Sequence, residues 1–281
     1  MLISTEIGTF QGLGSIEKTL DTLKEAGFTA YDFSMFDVYF ESVANVDDYK
    51  EKAQAIRDYA DSIGIVCNQS HAPFPTARKG DEAYNKAMLP KIRRAIEVSG
   101  ILGAKVCVVH PCNDYTATEN AELYKNFESC AREAGVKIGV ENMWNWNGEE
   151  NHAKTAACSR HDDFKAHLDL LPKDVFVACL DIGHAEMAGL DTNAVKMVET
   201  LAESLEAIHL HDNNCWHDNH AVPYTYNIDF AKVIDALKRV GYKGDITLET
   251  NLAKKVPVAL IPATAKYMAE IANYFKNEIE K

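Results

Sequence analysis

The sequence predicts an α/β fold, a single-domain (β/α)8 TIM barrel that spans residues 1–281. Short apolar runs alternate with longer segments of helical periodicity, the pattern typical of a parallel sheet covered by helices. This alternation repeats eight times, the number of strand-helix units that closes such a barrel. No linker rich in Pro, Gly or Ser interrupts the chain, so we expect one domain.

The predicted strands are short apolar runs bounded by turn-forming or polar residues. They comprise residues 2–8, 28–34, 65–70, 104–110, 136–141, 175–180, 207–211 and 245–249. A predicted helix follows each strand, with apolar residues recurring at helical spacing. The helices comprise residues 15–26, 46–63, 81–102, 119–134, 160–171, 192–205, 227–240 and 258–276.

Glycine and proline mark the ends of these helices. Four helices are followed by a residue that readily adopts the left-handed conformation of a C-cap, namely Gly27, Gly64, Gly135 and Gly241. Pro172 stops the helix before it, and Pro90 predicts a bend or a restart within residues 81–102. The longest segments without predicted structure, 142–159 and 213–226, both follow strands, on the side where barrel enzymes build their sites.

An open, doubly wound sheet is the alternative fold. It would need a glycine-rich phosphate-binding turn after the first strand. Gly8, Gly12 and Gly14 lie there, but they have neither the required spacing nor a basic residue after them. The closed barrel is therefore the prediction.

Composition excludes several classes of function. The formal net charge is −13 and the Lys and Arg residues are dispersed, so the protein's field repels polyanions and we expect no nucleic-acid partner. The seven cysteines are scattered without a Cys-x-x-Cys pair, which disfavours a disulfide framework. No stretch approaches the roughly 20 apolar residues of a membrane span. The N-terminus lacks the pattern of a signal peptide, and we expect a cytoplasmic protein with no membrane partner.

Six of the predicted strands end in a histidine or an acidic residue. The centre of this pattern is Cys179-Leu180-Asp181-Ile182-Gly183-His184, where a buried strand delivers an aspartate and then a histidine as it ends. The other five strand ends carry His71, His110, Glu141, His209 and Glu249. In a barrel the carboxyl ends of all strands open at one mouth, so these side chains are expected to meet there.

Glu141, Asp181, His209 and Glu249 are the predicted ligands of one divalent metal ion. Three carboxylates that converge in a partly desolvated pocket repel one another unless a cation neutralises them. A ligand set of three carboxylates and one imidazole suits Mn, Mg or Co as well as Zn. No organic cofactor is predicted.

The order of the motifs resembles the sugar phosphate isomerase/epimerase superfamily, the xylose isomerase-like barrels that also include endonuclease IV. The resemblance runs through nearly the whole chain. Its motifs are His71-Ala72-Pro73-Phe74, His110-Pro111, Glu141-Asn142, Leu180-Asp181-Ile182-Gly183-His184, His209-Leu210-His211-Asp212-Asn213, Asp218-x-His220 and Leu248-Glu249-Thr250.

The resemblance implies a metal-dependent isomerase or epimerase acting on a small sugar. Glu141 and Glu249 would be the acid/base pair that removes and returns a proton beside the sugar's carbonyl through an enediolate. His71, His110, His184 and His220 would reach substrate oxygens or further metal, although a structural role is equally expected for His71 and His220. A homo-oligomer is compatible with this family.

The loops depart from the family pattern. Tyr224 and Tyr226 stand where many members have glycines. Ketose 3-epimerases carry a further glutamate and an arginine that grip the sugar, and here those places hold Asn147 and Cys215. All three tryptophans lie in the same loops, and we expect Trp144 and Trp216 to line the substrate pocket.

Three alternatives remain open. A zinc phosphodiesterase like endonuclease IV would use nine ligands that the chain contains, namely His71, His110, Glu141, Asp181, His184, His209, Asp218, His220 and Glu249. A lyase that dehydrates a sugar or keto-inositol would share the proton abstraction, and a non-catalytic sugar-binding protein would show no turnover. We expect His211 to support a ligand, and Arg78 and Lys79 to be solvated loop charges rather than contacts to an acidic substrate group.

Overall fold

The computed structural model describes residues 1–36 and 38–281, and it confirms the predicted barrel. The strands, numbered in chain order, are β1 Ile3–Thr5, β2 Ala30–Ser34, β3 Val66–His71, β4 Val106–Val108, β5 Lys137–Glu141, β6 Asn145–Asn147, β7 His152–Lys154, β8 Phe176–Asp181, β9 Leu205–Leu210 and β10 Ile246–Leu248. Eight of them form one parallel sheet in the order β1-β10-β9-β8-β5-β4-β3-β2. A parallel bridge between Glu6 and Asp32 links the two end strands and nearly closes the barrel.

Helices follow most of the strands, and the longer ones cover the outside of the sheet. They are α1 Ile16–Ala26, α2 Val38–Val43, α3 Tyr49–Ile63, α4 Glu82–Leu102, α5 Ala117–Ala134, α6 His161–Asp169, α7 Ile182–Ala185, α8 Ala194–Leu201, α9 Phe230–Val240, α10 Leu252–Lys255 and α11 Ile261–Glu280. Short 3₁₀ turns occupy Ile7–Leu13, Ala202–Ser204 and Val258–Leu260. No helix in the described part of the chain is both long and apolar enough to cross a membrane.

The four glycines predicted as C-caps end their helices as expected. The side chain of Ser15 caps α1 by accepting a hydrogen bond from the backbone of Lys18, and the helix ends at Gly27 with φ 105°. Gly64, Gly135 and Gly241 also end their helices in the left-handed conformation.

Several predicted boundaries are wrong for identifiable reasons. The first strand ends at Thr5 because the chain turns into a 3₁₀ helix at Ile7. The helix predicted over residues 46–63 begins instead at Tyr49, and a separate short helix, α2, precedes it. Helix α4 runs through Pro90 without restarting. Helix α5 begins two residues earlier than predicted because Thr116 and Glu119 form a capping box.

The segment 142–159, predicted to lack secondary structure, contains a hairpin. Strands β6 and β7 pair in antiparallel register, with Trp146 opposite Ala153. A short helix, α7, also follows β8 directly, with the side chain of Asp181 accepting a hydrogen bond from the backbone of His184. Both elements lie on the mouth side of the barrel, so they shape the surroundings of the strand ends.

Among the described residues, the core has three parts, the smallest of which joins Ala153 of β7 to Met187 and Leu190 in the segment after α7. A large cluster of buried apolar residues fills the space between sheet and helices, and a small one, Val106, Val108, Val177, Cys179 and Ala207, fills the barrel interior. Gly139 completes that interior layer, because a Cβ there would lie 2.9 Å from Val106 and 3.3 Å from Cys179. These contacts show which residues of β4, β5, β8 and β9 face the barrel interior.

A candidate metal centre at the barrel mouth

Strand periodicity places the polar residues in the barrel interior. Side chains two residues apart on a strand point to the same face. Three positions of the small interior layer are followed, two residues later, by a side chain that points into the mouth: Gly139 by Glu141, Cys179 by Asp181 and Ala207 by His209. The apolar layer beneath them closes the barrel, so these polar groups form the floor of the mouth.

The four predicted metal ligands meet there. The Nδ1 atom of His209 lies 3.3 Å from Oε1 of Glu141, 3.1 Å from Oε2 of Glu249 and 3.9 Å from Oδ2 of Asp181. One ligand atom from each of the four residues lies within 4.8 Å of the others. His209 and Asp181 are completely buried, and Glu141 nearly so.

The chemistry of this group fits a divalent cation. Among the described residues, Nδ1 of His209 and Oε2 of Glu141 are buried atoms with no hydrogen-bond partner of acceptable geometry. Burial would raise the pKa of Glu141, but the charges of His209 and His110 outweigh it and hold that pKa well below its usual range. Burial would lower the pKa of His209, but Cys179, Glu141 and Glu249 raise it well above its usual value. A protonated imidazole thus balances the carboxylates, and a cation could supply that charge instead.

A second group shares Glu141. It consists of His71, His110 and Glu141, with Nε2 of His110 2.9 Å from Oε2 of Glu141. The Nδ1 atom of His71 lies 2.9 Å from the buried carboxylate of Asp32, which leaves Nε2 of His71 without a partner in the described structure. Metal-binding histidines commonly have such a carboxylate on the other ring nitrogen.

The third group comprises His184, His211, Asp218 and His220. Nε2 of His184 and Nε2 of His220 lie 3.2 and 3.0 Å from Oδ2 of Asp218. Their Nδ1 atoms contact backbone carbonyls, His184 that of Asn142 at 2.9 Å and His220 that of Glu249 at 3.0 Å. Because a carbonyl oxygen accepts, Nδ1 of each ring carries a proton, and the contact turns Nε2 toward Asp218. Nε2 is then the nitrogen that could bind a metal ion.

His211 joins the first and third groups. Its Nε2 atom lies 3.0 Å from Oδ1 of Asp181 and 3.6 Å from Oδ1 of Asp218. The ring also stacks on that of His220, with centroids 4.1 Å apart. His211 therefore contacts the predicted ligand Asp181, and it belongs to the third group as well.

The tryptophans differ in position. Trp144 lies beside the third group, with its ring centroid 6.4 Å from that of His184. Trp146 stacks on His217 at 5.8 Å, and Trp216 is 51% exposed. Trp144 is thus the tryptophan next to the polar floor, while the other two lie farther toward the rim.

Sequence reasoning missed three supporting residues. Gln69 lies 3.2 Å from Asp32, the partner of His71, and 2.7 Å from Nε2 of His209. It therefore connects the second group with the first. Asn142 makes two hydrogen bonds with the backbone of Asp181. Asp32 and Gln69 lie within predicted strands, whereas the strand-end pattern singles out only the last residues of each strand. Their inward position, two residues before Ser34 and His71, was the available signal.

Known proteins share this architecture. Residues 20–277 match the family described as the xylose isomerase-like TIM barrel. The chain is 27% identical over 248 residues to the uncharacterized protein MJ1311 of Methanocaldococcus jannaschii, which covers 84% of this chain and 80% of that protein. It is 27% identical over 256 residues to an L-ribulose 3-epimerase of Mesorhizobium japonicum, with coverage of 86% and 80%.

A solved structure of a D-tagatose 3-epimerase-like protein superposes with a TM-score of 0.77 at 23% identity. The superposition covers 100% of this chain and 98% of that one. At this identity the likeness establishes the fold and leaves the chemistry to be argued from the residues at the mouth.

Proposed function

The chain belongs to the xylose isomerase-like TIM-barrel family, and from that premise we propose that it is a divalent-metal-dependent sugar isomerase or epimerase. The observation that carries the proposal is the convergence of Glu141, Asp181, Glu249 and His209 Nδ1 within 4.8 Å on the barrel floor. These four residues would hold the cation. When bound, the cation would polarise a sugar's carbonyl and so acidify the neighbouring C–H bond.

Glu141 and Glu249 are the proposed acid/base pair. Glu141 ends β5 and Glu249 directly follows β10, and the sheet separates these two strands by β8 and β9, so their carboxylates approach His209 from two sides. Burial would raise the pKa of Glu249, but His209 and His220 lower it below its usual range, as His209 and His110 do for Glu141. Both groups are therefore ionised carboxylates at neutral pH, the protonation state that a general base requires.

The stereochemical outcome depends on where the proton returns. If Glu141 removes a proton from one face of a carbon and Glu249 returns one to the other face, the product is an epimer. Return to the adjacent carbon instead interconverts an aldose and a ketose. The L-ribulose 3-epimerase relative supports this reaction class.

The substrate contacts differ from those of ketose 3-epimerases. Asn147 lies in β6 and donates to Oε2 of Glu150 at 2.8 Å, and Cys215 lies in the loop after β9 with φ 66°. Neither is a charged group that grips a sugar hydroxyl. Trp144 beside His184 offers an aromatic face instead, which suits the apolar face of a sugar ring.

The proposal is tested by a screen in deuterated water. Aldoses, ketoses and their acid and phosphate derivatives are incubated with the metal-loaded protein, and NMR follows deuterium at the carbon beside the carbonyl. Incorporation with a new epimer or isomer supports the proposal. A dehydrated product would identify a lyase, and no incorporation into any sugar would contradict the proposal.

A zinc phosphodiesterase is the second candidate, because the three groups of ligands are contiguous. Glu141 belongs to two of them, and His211 joins Asp181 to Asp218. Three zinc ions could stabilise the charge of a phosphodiester during hydrolysis. The net charge of −13 opposes the approach of DNA. Cleavage of abasic-site DNA that requires zinc would favour this candidate over the isomerase.

A further inference from the structure

Arg78 differs from the other arginines of the chain. Among the described residues, its guanidinium forms no hydrogen bond and no ion pair. Every other arginine has a backbone carbonyl or carboxylate partner, as shown by Arg57, Arg93, Arg94, Arg132, Arg160 and Arg239. A guanidinium carries five N–H donors in a planar fork that matches an oxyanion. The donors of Arg78 are therefore available to a ligand.

The backbone and side chain of Arg78 are nevertheless held in place. The side-chain amide of Asn85 accepts from the backbone N–H of Arg78 at 2.7 Å and donates to its carbonyl at 3.0 Å. The guanidinium carbon lies 4.0 Å from the centroid of the Tyr84 ring, within cation–π distance. Tyr84 in turn donates to the carbonyl of Pro75 at 2.6 Å. An arginine held in this way loses little conformational entropy when it binds an anion.

Arg78 lines a cavity of about 250 Å³ beside the mouth. The cavity lies between the loop after β3 and the loop after β4, and Asn145 of β6 contributes to it. Phe74 lines the same cavity and contacts His110 edge-on, with ring centroids 4.7 Å apart. Since His110 contacts Glu141, one aromatic ring and one imidazole separate the cavity from the proposed base.

The charged residues described around this cavity are two cations and one carboxylate. Arg78 and Lys79 line it together with one carboxylate, Asp114. Lys79 is already paired with Glu119 at 3.2 Å and donates to the carbonyl of Asp114 at 3.1 Å. Arg78 is thus the cation left to meet a ligand, in a protein whose net charge of −13 otherwise repels anions.

We propose that Arg78 binds an anionic group, a phosphate or a carboxylate, on the end of the sugar remote from the reacting carbon. This inference rests on the proposed isomerase and names its substrate class as sugar phosphates or sugar acids. Arg78 is exposed, as expected for a loop charge, and the proposal adds a ligand for its guanidinium. Phosphate and carboxylate both match the guanidinium fork, so the test separates them.

Calorimetry on the protein as purified tests the inference, with metal content measured in every sample. The probes are D-fructose, D-fructose 6-phosphate and D-fructuronate. The variants are Arg78→Gln, Arg78→Lys, and Arg239→Gln as a control on an outer helix, where Arg239 pairs with Glu199. Because Arg78→Gln removes a charged hydrogen-bond donor, it should weaken binding of an anionic sugar roughly 10-fold or more. Arg78→Lys should be intermediate, and D-fructose binding and the control should stay within about twofold.

The anionic probe that loses more affinity identifies the group that Arg78 binds. Equal affinities of wild type and Arg78→Gln for both anionic sugars would overturn the inference. If the protein catalyses deuterium exchange into D-fructose and does not prefer anionic sugars, the isomerase is supported and the anion site is contradicted. If binding of anionic sugars depends on Arg78 but no sugar exchanges deuterium, the anion site is supported and the isomerase is contradicted.

Discussion

Gly183 makes room for His211. A Cβ atom built on Gly183 would lie 1.9 Å from Cε1 of the His211 ring, so no larger residue fits while the ring keeps its place. From that place His211 contacts Oδ1 of Asp181 at 3.0 Å. The glycine after β8 therefore fixes the orientation of a carboxylate at the centre of the mouth, although it carries no functional group.

Gly183→Ala should weaken metal binding. The added methyl group displaces His211, Asp181 loses its partner, and loss of such a supporting contact commonly costs about 10- to 100-fold in metal affinity. Competition with a metal-binding dye measures the effect. Gly148→Ala is the matched control, because a Cβ there meets no atom within 4 Å. Unchanged affinity in Gly183→Ala would show that His211 does not position Asp181.

His209→Gln should remove the central metal ion. Its Nδ1 is the one nitrogen among the four predicted ligands, and the three carboxylates cannot reproduce it. Mass spectrometry on protein purified without chelators should find about one divalent ion per wild-type chain and close to none in the variant. His161→Gln, on α6 and bonded to Thr192, should retain the ion. About three zinc ions in the wild type would favour the phosphodiesterase.

Stability of the metal-stripped protein should fall as the pH rises above neutral. Burial lowers the pKa of His220, but the hydrogen bond to Asp218 and the charge of Glu249 outweigh it and raise that pKa to about 10, from 6.5 unfolded. A histidine whose pKa is raised by folding makes its full contribution to the free energy of unfolding below about pH 6.5, and this contribution is lost as the pH approaches about 10. Urea unfolding between pH 6.5 and 10 measures the decline.

His220→Gln should flatten that decline. His217→Gln serves as its control, because His217 is an exposed histidine of the same loop. The raised pKa of His184 acts in the same direction, so the His220 variant should keep part of the slope. Equal slopes in wild type and His220→Gln would contradict the assignment.

The barrel and the convergence of the mouth residues could be predicted because both follow from the regular alternation of strands and helices along the chain. Alternation of strands and helices predicts the parallel barrel, and a barrel brings strand ends such as Glu141 and Glu249 together although they lie far apart in sequence. Local signals also sufficed at helix ends, where Gly27 and Gly64 lie as expected. These features depend on residues close in sequence or on the fold class alone.

Features that depend on tertiary contacts were not predictable in the same way. The β6–β7 hairpin forms within a segment rich in polar residues, where alternation of apolar residues gives no signal. The contact between His211 and Asp181 requires the space left by Gly183. The availability of Arg78 emerges only when the partners of the other arginines are known, because sequence alone does not distinguish a solvated arginine from one that lines a cavity.

Solvent-deuterium exchange in Glu141→Gln and Glu249→Gln tests the central claim most directly. Each change keeps the shape of the side chain and removes its ability to accept a proton. Wild-type protein should place deuterium beside the carbonyl of a sugar substrate, and either variant should lose that exchange while its circular dichroism spectrum is unchanged. Exchange at the wild-type rate in either variant would contradict the account of two glutamates acting as acid and base.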